Sequence, residues 1–199
     1  MSIADVQALI GHDVILLVGS PLSGKGTQGK LLAKALDRPY VSSGDLFRDE
    51  VASGSALGQQ IKTYMDSGEL IPNDLTTTFL TTKLSDSIYH KGMILDGYPR
   101  NISHLPILEN ILTKLNQRIF IAIYLDVSKE QLNKRRAQRG RTDDDADTFE
   151  RRYAVFQEET LPLIDVLKSR NQLIKIECHS KSSAEINQQI LSELISLCK

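Results

Sequence analysis

The stretch DVILLVGSPLSGKGT, residues 13–27, joins a short apolar run to a glycine-rich loop. The apolar part, Asp13 to Val18, is typical of a strand buried on both faces of a parallel sheet. Leucines at the spacing of one helical face follow the loop. A glycine loop between a strand and a helix presents backbone N–H groups to phosphate, and Lys25 would reach the outer phosphates. The stretch therefore predicts a phosphate-binding loop, here named the P-loop (residues 19–27).

Further apolar runs predict four more buried strands, separated by segments of helical pattern. These strands are predicted at Pro39–Val41, Met93–Leu95, Ile119–Leu125 and Leu173–Ile176. No internal repeat or linker divides the chain, so residues 1–199 are expected to form a single α/β domain with a five-stranded parallel sheet.

Two segments depart from simple alternation of strand and helix. Residues 43–89 are helical in pattern and too long for one crossover, so we expect an inserted lobe there. Residues 135–147 pass from basic to acidic before a helix predicted at Thr148–Arg170, which indicates a flap.

Composition excludes several classes of protein. Twenty-four Lys and Arg residues against 25 Asp and Glu give a net charge of −1, which argues against broad nucleic-acid or membrane-surface binding. Two cysteines, Cys178 and Cys198, exclude a disulfide framework and suit a reducing cytosol. The longest apolar run is shorter than the roughly 20 residues that span a bilayer, and the first residues do not resemble a signal peptide. We therefore expect a soluble, cytoplasmic protein.

The P-loop departs from the common pattern at one metal-binding position. Gly26 follows Lys25, where most P-loops have the Ser or Thr that holds Mg²⁺. Either the Thr27 hydroxyl or water would replace that ligand, and the metal would enter with the nucleotide.

Five motifs follow one another in the order found in nucleoside monophosphate kinases. They are GSPLSGKGTQ at 19–28, SSGDLFR at 42–48, GELIP at 68–72, DGYPR at 96–100 and GRTDD at 140–144. From about residue 13 onward the chain most resembles a short-lid adenylate kinase. The resemblance implies a P-loop nucleoside monophosphate kinase fold with strand order 2-3-1-4-5, a monophosphate-binding lobe at 42–71 and a short lid at about 135–150.

The resemblance also implies which residues carry the chemistry. Arginine suits this task because its planar fork grips two phosphate oxygens at once. The catalytic residues implied are Lys25, Arg100, Arg141 and Arg152. The ATP-binding residues implied are Leu22, Ser23, Gly24, Lys25, Gly26, Thr27, Arg135, Arg139 and Lys181. The AMP-binding residues implied are Ser43, Arg48, Glu69, Leu70, Ile71, Gly97, Tyr98, Pro99, Arg100, His104, Arg141 and Arg152.

The flap arginines also fit a solvated surface, and either Arg135 or Arg136 could be the inward member of their pair. The carboxylates likewise have two interpretations. Asp96 is either a Walker B-like group near Lys25 and the metal, or a turn or helix-cap residue. Asp45 either contacts a group that itself binds the metal, or caps a helix. Asp143 and Asp144 either orient the lid or face solvent.

Four positions depart from the usual family pattern: Leu22 bears on the backbone of the P-loop, and Ser43, Asn101 and His104 bear on the acceptor base. Leu22 replaces a usual glycine, and His104 replaces the glutamine that reads the adenine edge. Neutral imidazole has its donor and acceptor on separate nitrogens and cannot copy a planar amide. Ser43 favours AMP, whereas Asn101 resembles the UMP/CMP kinases.

The resemblance implies reversible transfer of the γ-phosphoryl group of MgATP to AMP, giving two ADP, for adenine nucleotide homeostasis. No protein nucleophile and no direct protein ligand to the metal are expected, and the lid lacks a Cys/His/Asp set for zinc. A UMP/CMP-type or relaxed-specificity kinase is the alternative, and a non-catalytic nucleotide sensor is a third hypothesis. Partners would be ATP, AMP and ADP, with no nucleic acid or membrane, and the family suggests a monomer.

Overall fold

A computed structural model describes residues 2–139 and 145–198 of the chain, with 138 and 139 as backbone only. Within these ranges the strands are β1 Val14–Val18, β2 Tyr40–Ser42, β3 Ile94–Asp96, β4 Ile119–Asp126 and β5 Leu173–Glu177. The helices described are α1 Ile3–Ile10, α2 Lys25–Leu36, α3 Ser43–Ala52, α4 Ala56–Ser67, α5 Asn73–Leu84, α6 His104–Lys114, α7 Lys129–Arg139, α8 Ala146–Val155, α9 Leu161–Ser169 and α10 Ser183–Ser196.

The five strands form one parallel sheet in the order β2-β3-β1-β4-β5. The central strand β1 lies between β3 and β4, so that Ile15 is paired with Ile94 on one side and Ile121 on the other. All five β1 residues are buried, because helices cover both faces of the sheet. The predicted strands and their order are confirmed.

Alternate residues of β1 serve two separate hydrophobic clusters. Leu16 packs with Phe47, Leu95 and other residues on one face, whereas Leu17 packs on the opposite face with apolar residues of the flanking helices. This division follows from the two-residue period of a strand.

The helix predicted at Thr148–Arg170 is interrupted. α8 and α9 are separated by a π-helical turn, Phe156–Thr160. Pro162 lies in the first turn of α9 and has no backbone N–H, so a regular α-helix through this point would lose a hydrogen bond and meet a clash. The irregular turn accommodates the proline.

The first residues of the chain belong to the core. Ser2 caps α1, and Val6 and Ile10 are buried in the same cluster as residues of α2 and α10. Among the described residues, no helix combines the length and apolar character needed to cross a membrane.

Candidate active site

A cavity of about 680 Å³ opens at the carboxyl ends of the strands, where β1 is flanked by neighbours that connect in opposite directions. Ligands bind at this position in open α/β sheets. The P-loop, the beginning of α3, residues 68–71, residues 96–100 and parts of α7, α8 and α10 line it. Segments that are far apart in the sequence therefore meet at one cavity, and they form its two halves.

The P-loop curls around the Lys25 side chain. Lys25 Nζ donates to the carbonyl oxygens of Gly19 and Ser20, both at 2.8 Å. Leu22 has a φ of +63°, and its side chain is 9% exposed within the core behind the loop. The predicted residues 22–27 all line the cavity, with Lys25 at the start of α2, where the helix dipole favours an anion.

Arg135 is the inward member of the arginine pair on α7. Its Nη1 donates to the carbonyl oxygens of Ser23 at 2.8 Å and Leu22 at 3.2 Å. The guanidinium of Arg136 instead lies 5.9 Å from the centre of the Phe149 ring. Of the two arginines, only Arg135 is among the cavity-lining residues.

Three further arginines line the other half of the cavity: Arg48 from α3, Arg100 from the loop after β3, and Arg152 from α8. Arg100 Nε donates to the Gly97 carbonyl oxygen at 2.8 Å, and Arg48 forms an ion pair with Asp45. Burial lowers the pKa of Arg100, and repulsion from Arg152 and Arg48 adds to this. Because these cations repel one another, a phosphate between them would be favourable.

The two candidate carboxylates have different partners. Asp96 ends β3 beneath the P-loop, where its Oδ2 accepts a 2.7 Å hydrogen bond from the Tyr40 hydroxyl. It is therefore not a helix cap. Asp45 does not cap α3 either, because Ser42 Oγ accepts the hydrogen bond from the Asp45 backbone N–H at 3.2 Å. Its carboxylate orients Arg48 instead.

Most of the other residues predicted to bind the acceptor nucleotide lie together at the cavity. Those that line it are Glu69, Leu70, Ile71, Gly97, Tyr98, Pro99 and His104. Ser43 is fully buried at the start of α3 and is not among the described lining residues. Its Oγ has no hydrogen-bond partner within the described part of the chain.

Other predicted residues lie away from the cavity or outside the described ranges. Lys181 Nζ donates to the Glu177 carbonyl oxygen at 2.9 Å and to Gln189 Oε1 at 2.7 Å, and Lys181 is not among the described lining. Arg141, Asp143, Asp144 and the side chain of Arg139 lie outside the described residues.

Two positions that the sequence did not single out support the site. Tyr40 holds Asp96, and Thr160 Oγ1 donates to the Arg100 carbonyl oxygen at 2.7 Å. Tyr40 lies within the strand predicted at Pro39–Val41, just before the SSGD motif, which is a weak signal. Thr160 lies in the π-helical turn, and no sequence pattern indicates it.

Oxygen groups that suit Mg²⁺ lie at the P-loop. Thr27 and Asp96 both line the cavity, and a hydroxyl and a carboxylate are ligands of the kind that Mg²⁺ prefers, directly or through water. Among the described residues, no group of three or more His, Cys, Asp or Glu side chains is placed to hold a metal by itself. These residues fit a metal that is carried mainly by substrate phosphates.

The chain is similar to proteins of known family. A family model described as "Adenylate kinase" matches residues 17–172. A protein named "Adenylate kinase" from Corynebacterium glutamicum is 37% identical over 180 residues, covering 90% of this chain and 98% of the relative. Another of that name from Thermobifida fusca is 35% identical over 186 residues, covering 92% and 98%. A third, from Stenotrophomonas maltophilia, is 37% identical over 167 residues, covering 82% and 89%.

Proposed function

Since this chain belongs to the adenylate kinase family, we propose how its own residues divide the transfer of the γ-phosphoryl group from ATP to AMP. The chain is an enzyme, and its reaction is ATP + AMP ⇌ 2 ADP. What we propose is the role of each residue, the use of a metal, the movement of the lobes and the cellular location.

The donor ATP occupies the half of the cavity formed by the P-loop. Backbone N–H groups of residues 22–27 surround its phosphates, and Lys25 leaves the loop carbonyls to follow the γ-phosphoryl group. Arg135 lies over the loop and clamps the donor. Arg139 is assigned to the same clamp on the family pattern alone. The backbone near Lys181 borders the adenine.

The acceptor AMP occupies the other half. Arg48 and Arg100 bind its phosphate, and Asp45 and the Gly97 carbonyl oxygen hold their guanidinium groups in place. Residues 69–71, residues 97–99 and His104 surround the nucleoside, and the buried Ser43 lies behind them at the start of α3. This arrangement points the acceptor phosphate toward the P-loop.

Transfer is a direct in-line attack of the acceptor phosphate on the γ-phosphorus. The acceptor oxygen forms a bond to phosphorus as the bond to the β,γ-bridging oxygen breaks, and ADP leaves with that electron pair. Negative charge spreads over the equatorial oxygens, where Lys25, Arg100, Arg141 and Arg152 stabilise it. Closure of the lobe at 42–71 and the lid at about 135–150, oriented by Asp143 and Asp144, excludes water as a competing acceptor.

The Thr27 hydroxyl and Asp96, which line the cavity, would hold the Mg²⁺ that accompanies ATP, directly or through water. When bound, the ion neutralises charge on the β- and γ-phosphates. Tyr40 keeps Asp96 oriented toward the loop.

The observation that carries the proposal is that four cationic side chains converge on one cavity. Lys25, Arg48, Arg100 and Arg152 come from four separate segments and line one cavity. Cations gathered in one cavity repel one another, and the phosphate groups of ATP and AMP are anions that would balance this charge. A pyrimidine kinase would use the same cations, but the comparisons do not favour it. We further propose that the protein is a cytoplasmic monomer that maintains the balance of adenine nucleotides.

The test is the loss of turnover in two variants. Lys25→Met and Arg100→Ala should each lower kcat by at least about a hundredfold, the scale of losing one transition-state donor. Lys34→Met, on the exposed side of the same helix, and Arg170→Ala, at a surface ion pair, are matched controls that should retain activity. A variant that keeps near-normal turnover would remove its residue from the mechanism.

A further inference from the structure

Two glycines on one face of α2 lie against the ring of Tyr40, which is the first residue of β2. Gly26 and Gly29 are three residues apart in the helix, so they share one side of it. A Cβ built on Gly29 would overlap the Tyr40 ring, with Cδ2 at 2.7 Å. A Cβ built on Gly26 would stand 3.4 Å from the Tyr40 hydroxyl oxygen. The tyrosine therefore occupies space that side chains at these two positions would need.

Neither glycine is required by its backbone conformation. Gly26 and Gly29 lie within α2 and are not among the residues with positive φ, so any residue can adopt their backbone. Apart from proline, glycine is the least favourable residue inside a helix. A Cβ on Gly29 would also stand 2.8 Å from Leu17 Cδ1. What these positions provide is room, and the Tyr40 side chain fills most of it.

The position of the ring brings the Tyr40 hydroxyl to Asp96. The hydroxyl donates to Asp96 Oδ2 at 2.7 Å, and both residues line the cavity. Asp96 is 7% exposed, and its Oδ2 would be 4.0 Å from the Cβ built on Gly26. The hydroxyl, the carboxylate and the absent side chain of residue 26 therefore meet at one place beneath the P-loop.

Position 26 is where most P-loops have a Ser or Thr, whose hydroxyl holds Mg²⁺ together with an aspartate at a strand end. A serine oxygen lies one bond beyond Cβ, so from position 26 it can reach Asp96 Oδ2. In this chain the hydroxyl beside Asp96 comes instead from Tyr40, on a neighbouring strand. A tyrosine hydroxyl is a donor of the same kind as a serine hydroxyl.

We propose that the Tyr40 hydroxyl replaces the missing P-loop hydroxyl as the group that fixes Asp96 for the Mg²⁺ accompanying ATP. Tyr40 is a positioning residue, because it acts on the metal through Asp96. Groups that orient a metal-binding carboxylate restrict its motion and contribute to the affinity for the metal. The inference rests on the proposed function, since it places the phosphates of ATP and their metal at the P-loop.

The experiment measures the Kd of ATP by isothermal titration calorimetry without an acceptor, once with excess Mg²⁺ and once with EDTA. The Kd in EDTA divided by the Kd in Mg²⁺ is the magnesium preference, which reports how well the protein holds the metal on bound ATP. We expect Tyr40→Phe to lower this preference about tenfold, the scale of losing a group that orients a metal ligand. The Kd in EDTA should change less than about twofold. Tyr89→Phe, which removes a hydroxyl outside the described cavity lining, is the control and should leave the preference unchanged.

A second change tests whether one hydroxyl stands in for the other. Gly26→Ser in the Tyr40→Phe protein returns a hydroxyl to the space beside Asp96 and should raise the magnesium preference at least about fivefold. Gly26→Ala in the same protein adds the Cβ without the hydroxyl and should recover nothing. In the protein that keeps Tyr40, Gly26→Ser should not raise the preference, because the tyrosine hydroxyl already fills that space.

The outcomes are distinguishable. An unchanged magnesium preference in Tyr40→Phe, or equal weakening of ATP binding with and without Mg²⁺, would overturn the inference, since Tyr40 would then only support the fold. Recovery by Gly26→Ala, or a gain from Gly26→Ser whether or not Tyr40 is present, would overturn the replacement of one hydroxyl by the other. Failure of the unaltered protein to form ADP from MgATP and AMP would refute the proposed function while leaving these binding ratios intact. Failure to bind MgATP at all would refute both.

Discussion

At the scale of single residues, Leu22 shows how a departure from the family pattern is accommodated. Left-handed backbone costs a residue with a Cβ roughly 1–2 kcal/mol, and Leu22 has a φ of +63°. Its side chain is buried in the core, and burying a leucine stabilises a fold by about 1.5–3 kcal/mol. The second effect offsets the first, so the P-loop retains its shape without glycine.

His104 also predicts a pH dependence of stability. In the unfolded chain this histidine has its ordinary pKa of 6.5, and in the folded chain burial beside Arg100 lowers the pKa to about 4. Between these values the unfolded state binds more protons, so stability is full above pH 6.5 and decreases as the pH falls. The contribution lost between pH 7 and pH 5 is about 2 kcal/mol.

Urea unfolding at both pH values measures this effect. His104→Gln lacks the titration, so its free energy of unfolding should decrease by about 2 kcal/mol less than that of the unaltered protein over the same range. All other titrating groups are common to both proteins and cancel in the comparison. Equal decreases would mean that the folded protein takes up a proton on His104 as readily as the unfolded chain.

The sequence predicted which residues form the site better than it predicted their hydrogen-bond partners. The family resemblance implied roles for Lys25, Arg48, Arg100 and Arg152, and all four line the cavity. The sequence could not indicate that His104 Nδ1 would accept from the Arg100 backbone, because that contact depends on the path of the loop before α6.

At the scale of elements, α8 holds the end of α4 through arginine side chains. Arg151 Nε donates to the Ser67 carbonyl oxygen at 2.8 Å, and Arg152 Nη2 donates to the Met65 carbonyl oxygen at 3.2 Å. Carbonyl groups in the last turn of a helix have no partner within the helix, and the helix dipole favours a cation there. These contacts position residues 69–71, which follow α4 and line the acceptor half of the cavity.

We predict that Arg151→Met raises the KM for AMP about tenfold, the scale of a lost charged hydrogen bond, with kcat and the KM for ATP changed less than about twofold. Methionine keeps an apolar stem of similar length, so packing changes little. Steady-state kinetics with each nucleotide varied separately is the measurement.

Glu150→Gln is the matched control, since Glu150 lies on the same helix and pairs with Lys129 instead. Equal increases in both KM values would show a general loss of structure, and an unchanged KM for AMP would show that Arg151 does not position the acceptor lobe.

Element types were predicted more reliably than their irregularities. The helix expected at residues 148–170 is present, but its π-helical turn was not predicted, because a proline in a helical pattern signals only that the helix must adjust. The adjustment places Thr160 against the Arg100 carbonyl oxygen, so the irregularity supports the site.

At the scale of the whole molecule, apolar runs predicted the five strands, whereas their order came from the family resemblance. A periodic pattern shows that a strand is buried but not which strand lies beside it. The order places β1 and β3 next to each other, which brings the P-loop and Asp96 to the same edge. The lid residues Arg141, Asp143 and Asp144 lie outside the described ranges, and their roles stay predictions.

The central claim is that the cavity brings two nucleotides together for direct transfer. The most direct test is product analysis, by chromatography or phosphorus NMR, of the purified protein with MgATP and, in separate reactions, AMP, UMP or GMP. The account predicts two ADP for each ATP and AMP consumed, with UMP and GMP at least about a hundredfold less efficient. Binding of ATP without ADP formation from AMP, or efficient formation of UDP, would contradict it.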